Sequence, residues 1–94
     1  MSIAQTILSQ IKQIDRWALG AWGAHSLVDM GDGLKFKTRG MVKWKGWVYV
    51  QYDYGRDLYD VTFFRIRKLE MKVDEKLEGV YAEDLVNIID SRVG

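Results

Sequence analysis

The period of the apolar residues changes from helical to extended along this chain and then back again, and that succession constrains the fold more than any other feature. Ile3, Ile7, Ile11, Ile14 and Ala18 follow one another at intervals of four, four, three and four, the stripe by which a helix buries one face. The spacing predicts a helix over residues 3–19. Leu8 widens the stripe, Trp17 stands at its edge, and Gln5, Ser9, Gln10, Lys12, Gln13 and Arg16 fill the other face. Ser2 followed by Gln5 has the pattern of a capping box, and Gly20 supplies the expected stop.

After Gly33 the period becomes two. Residues 34–38, 47–54 and 58–66 alternate or run β-branched and aromatic, and they read as strands. Residues 71–77 alternate more weakly and read as a fourth, polar edge strand. Tyr54-Gly55-Arg56-Asp57 is expected to be a hairpin turn supplied by its glycine. Phe63 and Phe64 are consecutive, which requires either a bulge or partial cover on both faces of that strand. Residues 20–33 hold four glycines and no sustained period. They read as a compact connector whose Trp22, Leu27, Val28 and Met30 fold back to cap one end of the core. Over residues 82–92 the helical period returns, with Leu85, Ile88 and Ile89 on one face, Glu83 and Asp84 in the first turn and Arg92 in the last. The expected fold is α+β: an antiparallel three- to four-stranded meander flanked by an N-terminal and a C-terminal helix, both packed on one face, in a single domain over residues 1–94. Ile7, Ile11, Leu85 and Ile88 are the expected contacts between helices and sheet.

Ninety-four residues suit one core. The absence of cysteine removes disulfides, zinc ribbons and thiol nucleophiles together. No stretch approaches the roughly 18 apolar residues of a membrane span, and the N-terminus lacks the pattern of a secretory signal, so the expected setting is the cytoplasm, without a membrane partner. The net charge of +1 leaves bulk electrostatics silent, yet its distribution is banded. Residues 1–34 carry −1, residues 35–52 carry +5, residues 53–64 carry −2, residues 65–73 carry +3 and the remainder −4. Separated stripes give the molecule faces that different partners can read.

The +5 band is the least ordinary part of the chain. Lys35, Lys37, Arg39, Lys43 and Lys45 are interleaved with Phe36, Trp44 and Trp47, and Arg65 and Arg67 with Lys68 extend the patch. Cations that track phosphates beside rings that stack on bases make single-stranded nucleic acid or nucleotide sites. The same residues suit an acidic protein surface, or merely the solvent side of a strand whose Phe36 enters the core. If the helices cover the side of Val48 and Val50, Trp47 and Tyr49 stand on an open sheet face beside the cations. Exposed rings of that kind are enriched at protein interfaces, a homo-oligomer among them.

Elsewhere the chemistry is sparse. His25 is the only histidine, with Asp29 and Asp32 four and seven residues further on, and it reads as a surface or capping residue. Neither glycine cluster has a phosphate-loop signature, and Asp53, Asp57 and Asp60 read as turn acids beside Arg56. No nucleophile and base are spaced as a catalytic pair, so neither enzyme activity nor a cofactor is expected.

Several short motifs run in order along the chain: Thr6-Ile7-Leu8-Ser9-Gln10, Trp22-Gly23-Ala24, Gly33-Leu34-Lys35-Phe36-Lys37, Asp57-Leu58-Tyr59-Asp60-Val61-Thr62-Phe63 and Gly79-Val80-Tyr81-Ala82-Glu83-Asp84-Leu85-Val86. Together they resemble a set of short bacteriophage- and prophage-encoded proteins without an assigned activity. The chain departs from that set by carrying charged or bulky residues where a Gly-Gly often follows the first helix. The resemblance implies a mobile-element origin and a host-cell setting. There the expected function is that of a non-enzymatic accessory protein binding a host or defence component stoichiometrically, as a defence inhibitor does.

Overall fold

The computed structural model describes residues 2–39 and 44–93. The order is α1 (Ile3–Ile14), α2 (Ala18–Trp22), β1 (His25–Asp29), β2 (Gly33–Lys37), β3 (Trp47–Asp53), β4 (Leu58–Arg67), β5 (Glu70–Val80), a 3-10 turn (Ala82–Asp84) and α3 (Leu85–Val93). The five strands form one antiparallel meander in sequence order. The α+β architecture is the expected one, with one strand more.

Period-two alternation decides which face the helices cover. Leu34 and Phe36 of β2, Val48 and Val50 of β3, and Tyr59, Val61 and Phe63 of β4 all point to one side and are buried. Ala4, Ile7, Ile11, Ala18, Trp22, Leu85, Val86, Ile89 and Val93 close over them in a single core cluster. The capping box forms as expected: Ser2 Oγ accepts from the Gln5 N–H at 3.1 Å, and Gln5 Oε1 accepts from the Ser2 N–H at 3.0 Å.

The first helix is shorter than its apolar stripe. Asp15 takes an extended conformation, φ −150°, and its carboxylate accepts the Trp17 N–H at 2.9 Å, so the chain breaks there and restarts as α2. A short polar side chain that satisfies nearby backbone competes with helix continuation. Ala18 still reaches the core, whereas Ile14 is exposed. Gly20 lies inside α2 and stops nothing. The terminating residue is Gly23, left-handed at φ 64°, where a Cβ would meet the Arg39 side chain at 2.8 Å.

The expected connector thus contains a helix and an edge strand. Trp22 enters the core, stacks on Phe36 with centroids 6.2 Å apart, and donates its indole N–H to Asp90 at 3.0 Å. Leu27, Val28 and Met30 do not cap the core. They are exposed, because β1 pairs only with β2 and forms one border of the sheet.

Three local details refine the hairpins. The β3–β4 turn rests on Asp53, whose carboxylate accepts the Gly55 and Arg56 N–H groups at 3.0 and 3.3 Å and pairs with the Arg56 guanidinium at 2.8 Å. Its left-handed residue is Asp57, φ 56°, rather than the glycine. Phe63 and Phe64 stay in register with Val48 and Trp47, while across β5 they face Glu75 and Val73. Asp74 is the extra residue of a bulge, and both aromatic rings are buried, one on each face. In the C-terminal helix Val86 is buried in the place expected for Ile88, which is only partly covered, because the 3-10 turn rotates the start of α3.

Beyond Trp47 the β4–β5 hairpin runs on as a two-stranded arm, with Arg65, Ile66 and Arg67 paired to Lys72, Met71 and Glu70. Its two turn residues, Lys68 and Leu69, are both left-handed, φ 49° and 67°, as a type I′ turn requires. A non-glycine residue there costs about 1 to 2 kcal/mol. Replacing Lys68-Leu69 by Asn-Gly is expected to raise stability by about 1 to 2 kcal/mol, read as a higher denaturant midpoint. Leu85→Ala, which empties a fully buried position under α1, is expected to cost about 2 to 5 kcal/mol in the same assay, and an unchanged midpoint would refute the placement of α3.

Candidate interaction face

Among the described residues, no helix packs on the other side of the sheet. Register places the residues of this face in rows across the strands. One row runs His25, Lys37, Trp47, Phe64 and Val73, and the next runs Val28, Lys35, Tyr49, Thr62 and Lys76. Ile66 and Met71, directly opposite one another, continue the face onto the arm. Ile66, Met71 and Val73 remain 52%, 60% and 49% exposed, and Leu69 at the tip is 100% exposed. An exposed side chain of this kind is ordinary singly, but here four stand together on one hairpin.

The rings on this face are engaged by their own neighbours. From the β4 side Phe64 stacks on Trp47, centroids 6.3 Å apart and planes within 8°. From the β2 side the Lys35 and Lys37 ammonium groups lie 5.0 and 5.9 Å from the Trp47 ring centroid. Tyr49 donates its hydroxyl to Asp32, which also accepts from Gln51 Nε2 at 2.7 Å. Burial, then the hydrogen bond and charge of Asp32, push the Tyr49 hydroxyl from its ordinary 10.0 up to about 12.

Where β3 begins and the arm continues, Lys37, Lys45, Gly46, Trp47, Arg65, Ile66 and Arg67 line an open notch of about 530 Å³. Five of the ten residues singled out from the sequence therefore meet here: Lys37, Lys45, Trp47, Arg65 and Arg67. Lys35 and Tyr49 adjoin them on the sheet face. Among the described residues the basic partners in ion pairs are Arg56, Arg65, Lys76 and Arg92, so Lys35, Lys37, Lys45 and Arg67 carry uncompensated charge.

Two others separate from the cluster. Arg39 lays its stem over Gly23 and donates its backbone N–H to the Trp22 carbonyl at 3.3 Å, on the helical side. Trp44 turns inward: its indole donates to Asp74 at 2.8 Å, its ring meets Phe63 edge-on at 5.6 Å, and it leaves room for no side chain at Gly46. Lys43 lies outside the described residues.

Asp74, the bulge residue, organises this corner. Arg65 Nη2 donates to its Oδ1 at 3.1 Å, while Arg65 Nε sits 2.9 Å from Oδ2 as an ion contact without hydrogen-bond geometry. The Trp44 indole first, and then Arg65, hold the Asp74 carboxyl below the ordinary carboxylate range. His25 Nδ1 meets Ser26 Oγ at 3.0 Å on the surface, and among the described residues no three His, Asp or Glu side chains converge on a metal position. No described helix is long and apolar enough to cross a membrane.

Phe64, Ile66, Met71 and Val73 belong to this face and were not among the expected site residues. Their signal is present as two alternations, Phe64–Ile66 and Met71–Val73, separated by a turn. Lys72, Asp74, Glu75 and Lys76 give the second of these strands its polar pattern.

No protein-family model, curated protein or solved structure matches this chain.

Asp74→Ala leaves the Trp44 N–H and Arg65 without their acceptor and is expected to cost about 1 to 3 kcal/mol. Because the Asp74 carboxyl titrates lower folded than unfolded, its contribution is present above the ordinary carboxylate pKa of 3.8 and is lost as pH falls through the folded value. Tyr49 has the opposite sign. Its folded pKa of about 12 lies above the ordinary 10.0, so its contribution is intact below pH 10 and disappears toward pH 12. Denaturant midpoints measured across that alkaline window should fall less steeply for Tyr49→Phe than for the unaltered chain.

Proposed function

We propose that this chain is a non-enzymatic, stoichiometric binding module that engages a partner protein through the helix-free face of its sheet. The observation that carries the reading is the make-up of that face: an apolar ridge of Trp47, Phe64, Ile66, Met71 and Val73 bordered by Lys35, Lys37 and Lys45, with Arg67 of the arm's other face reaching the notch at its edge, none of which has an internal ion partner among the described residues. Protein interfaces combine a desolvated aromatic and aliphatic centre with a charged rim, and the sign of this rim selects an acidic partner. With the resemblance to phage and prophage proteins, the partner is a host or defence component and the module its inhibitor or adaptor in the host cytoplasm.

A single-stranded nucleic acid or nucleotide is the second reading, favoured by the cations of the notch. The ring environment weighs against it. Bases stack on free aromatic faces, whereas Trp47 has Phe64 against one face and two lysines near the other. Exposed aliphatic side chains also match a protein better than a base.

The two readings separate in one experiment. In nuclease-treated bacterial lysate, the tagged chain should retain a protein at unit stoichiometry, and Trp47→Ala should weaken that complex by about 2 kcal/mol or more. Lys37→Glu with Lys45→Glu should slow association and remove most of its salt dependence. Titration with single-stranded DNA or RNA should leave tryptophan fluorescence unchanged at low salt. Quenching that weakens steeply as salt rises would instead establish the nucleic acid reading.

A further inference from the structure

The β4–β5 arm combines exposure, charge and backbone strain in one place. Its first face continues the apolar ridge with Ile66, Met71 and Val73, and its second carries Arg65, Arg67 and Lys72 beside Glu70. Its tip is a fully exposed leucine held in the left-handed region, preceded by a lysine held there as well. Neither residue is suited to that conformation, for which asparagine and glycine are favoured. Leu69 is not kept for packing within the chain, since it is wholly solvated. A strained residue that touches nothing of its own molecule is a candidate for a contact outside it.

We infer that the arm is the anchoring element of the interface: Leu69 and the Ile66, Met71 and Val73 face enter an apolar groove on the partner protein, whose borders carry carboxylates that meet Arg67, Lys68 and Lys72. This rests on the reading that the partner is a protein and names the chemistry of its surface. Charge complementarity chooses the borders, because with Arg65 paired to Asp74 the arm keeps three cations, Arg67, Lys68 and Lys72, against one acid, Glu70. The distribution of the apolar residues chooses a groove over an anionic membrane. They run along one side of the hairpin instead of clustering at its end, and Glu70, directly opposite Arg67, stands next to the tip where lipid phosphates would be.

The test places a benzophenone amino acid at position 69, or at position 14 on the exposed part of the helical side, in the full chain. Irradiation in nuclease-treated bacterial lysate should give one discrete protein adduct from position 69 and none from position 14. Excess unaltered chain should suppress the adduct, whereas the Lys68→Asn, Leu69→Gly chain should compete at least tenfold less well even though its denaturant midpoint is raised. That pairing of a firmer fold with a weaker contact is what an unfolded variant cannot produce. Lys72→Glu should likewise weaken competition, at unchanged secondary structure. Equal competition by the Asn-Gly chain would overturn the arm as anchor, and if Trp47→Ala still failed to compete, the sheet-face reading would survive it. Failure of every chain to form an adduct or capture a protein would overturn both. Leucine-dependent sedimentation with phosphatidylserine vesicles and no protein adduct would also overturn the proposal, in favour of a lipid surface.

Discussion

Two short helices can cover only one side of a five-stranded sheet. At about 1.5 Å per residue α1 and α3 are roughly 18 and 14 Å long, while five strands at about 4.8 Å spacing span some 20 Å and β4 alone extends beyond 30 Å. A single helical layer is therefore filled by the breadth of the sheet near its middle. Period-two alternation concentrates the aliphatic residues of β2, β3 and β4 beneath that layer and delivers everything else to the far side. The helix-free face, the projecting arm and the uncompensated cations all follow from this one mismatch between helical and sheet area.

The tryptophans show how differently one residue type is used under that constraint. Trp22 and Trp44 are each fixed by an indole hydrogen bond to an aspartate, Asp90 and Asp74, one ring stacked on Phe36 and the other edge-on to Phe63. Both acids are distant in sequence from the ring they hold, so these bonds close long loops and tie α3 and β5 to the rest. Buried indoles need such an acceptor, and without one the N–H pays its full desolvation cost. Trp47 has no such tie among the described residues. Its ring is held by Phe64 and by lysine ammonium groups, which makes it a firm but accessible ridge on the open face. Trp17 lies on the surface beside the Arg16 guanidinium, at the point where Asp15 breaks the helix.

The Asp74 bulge links structure to the proposed interface. By inserting one residue into β5 it supplies the acceptor for Trp44 and Arg65 and disrupts the outer strand of the sheet. Bulges of this kind discourage edge-to-edge pairing, which directs recognition toward the face and the arm and away from strand addition. Arg65, neutralised by Asp74, then braces the base of the arm, while Arg67, one pleat further on, keeps its charge available.

Local patterns in the sequence determined much of this molecule. The capping box, the stripe through Ile7 and Ile11, the alternation of β2 through β4, the hairpin at residues 54–57 and the last helix all depend on neighbours within a few residues, and each was legible there. So was the face on which Trp47 and Tyr49 stand, because a strand's period assigns it. What only the tertiary structure decided depends on residues far apart in the chain. The strand at His25–Asp29 required β2 to be in place before the segment had a pairing partner. The division of the +5 band depends on distant residues too: Lys37 and Lys45 meet Arg65 and Arg67 because β3 begins level with Phe64 while β4 runs on past it, whereas Trp44 is drawn inward by an aspartate thirty residues away and Arg39 lies over the glycine that caps α2. Charge and ring content can be counted along a sequence, but whether a ring is free or spoken for is set by packing between strands that the sequence does not place side by side.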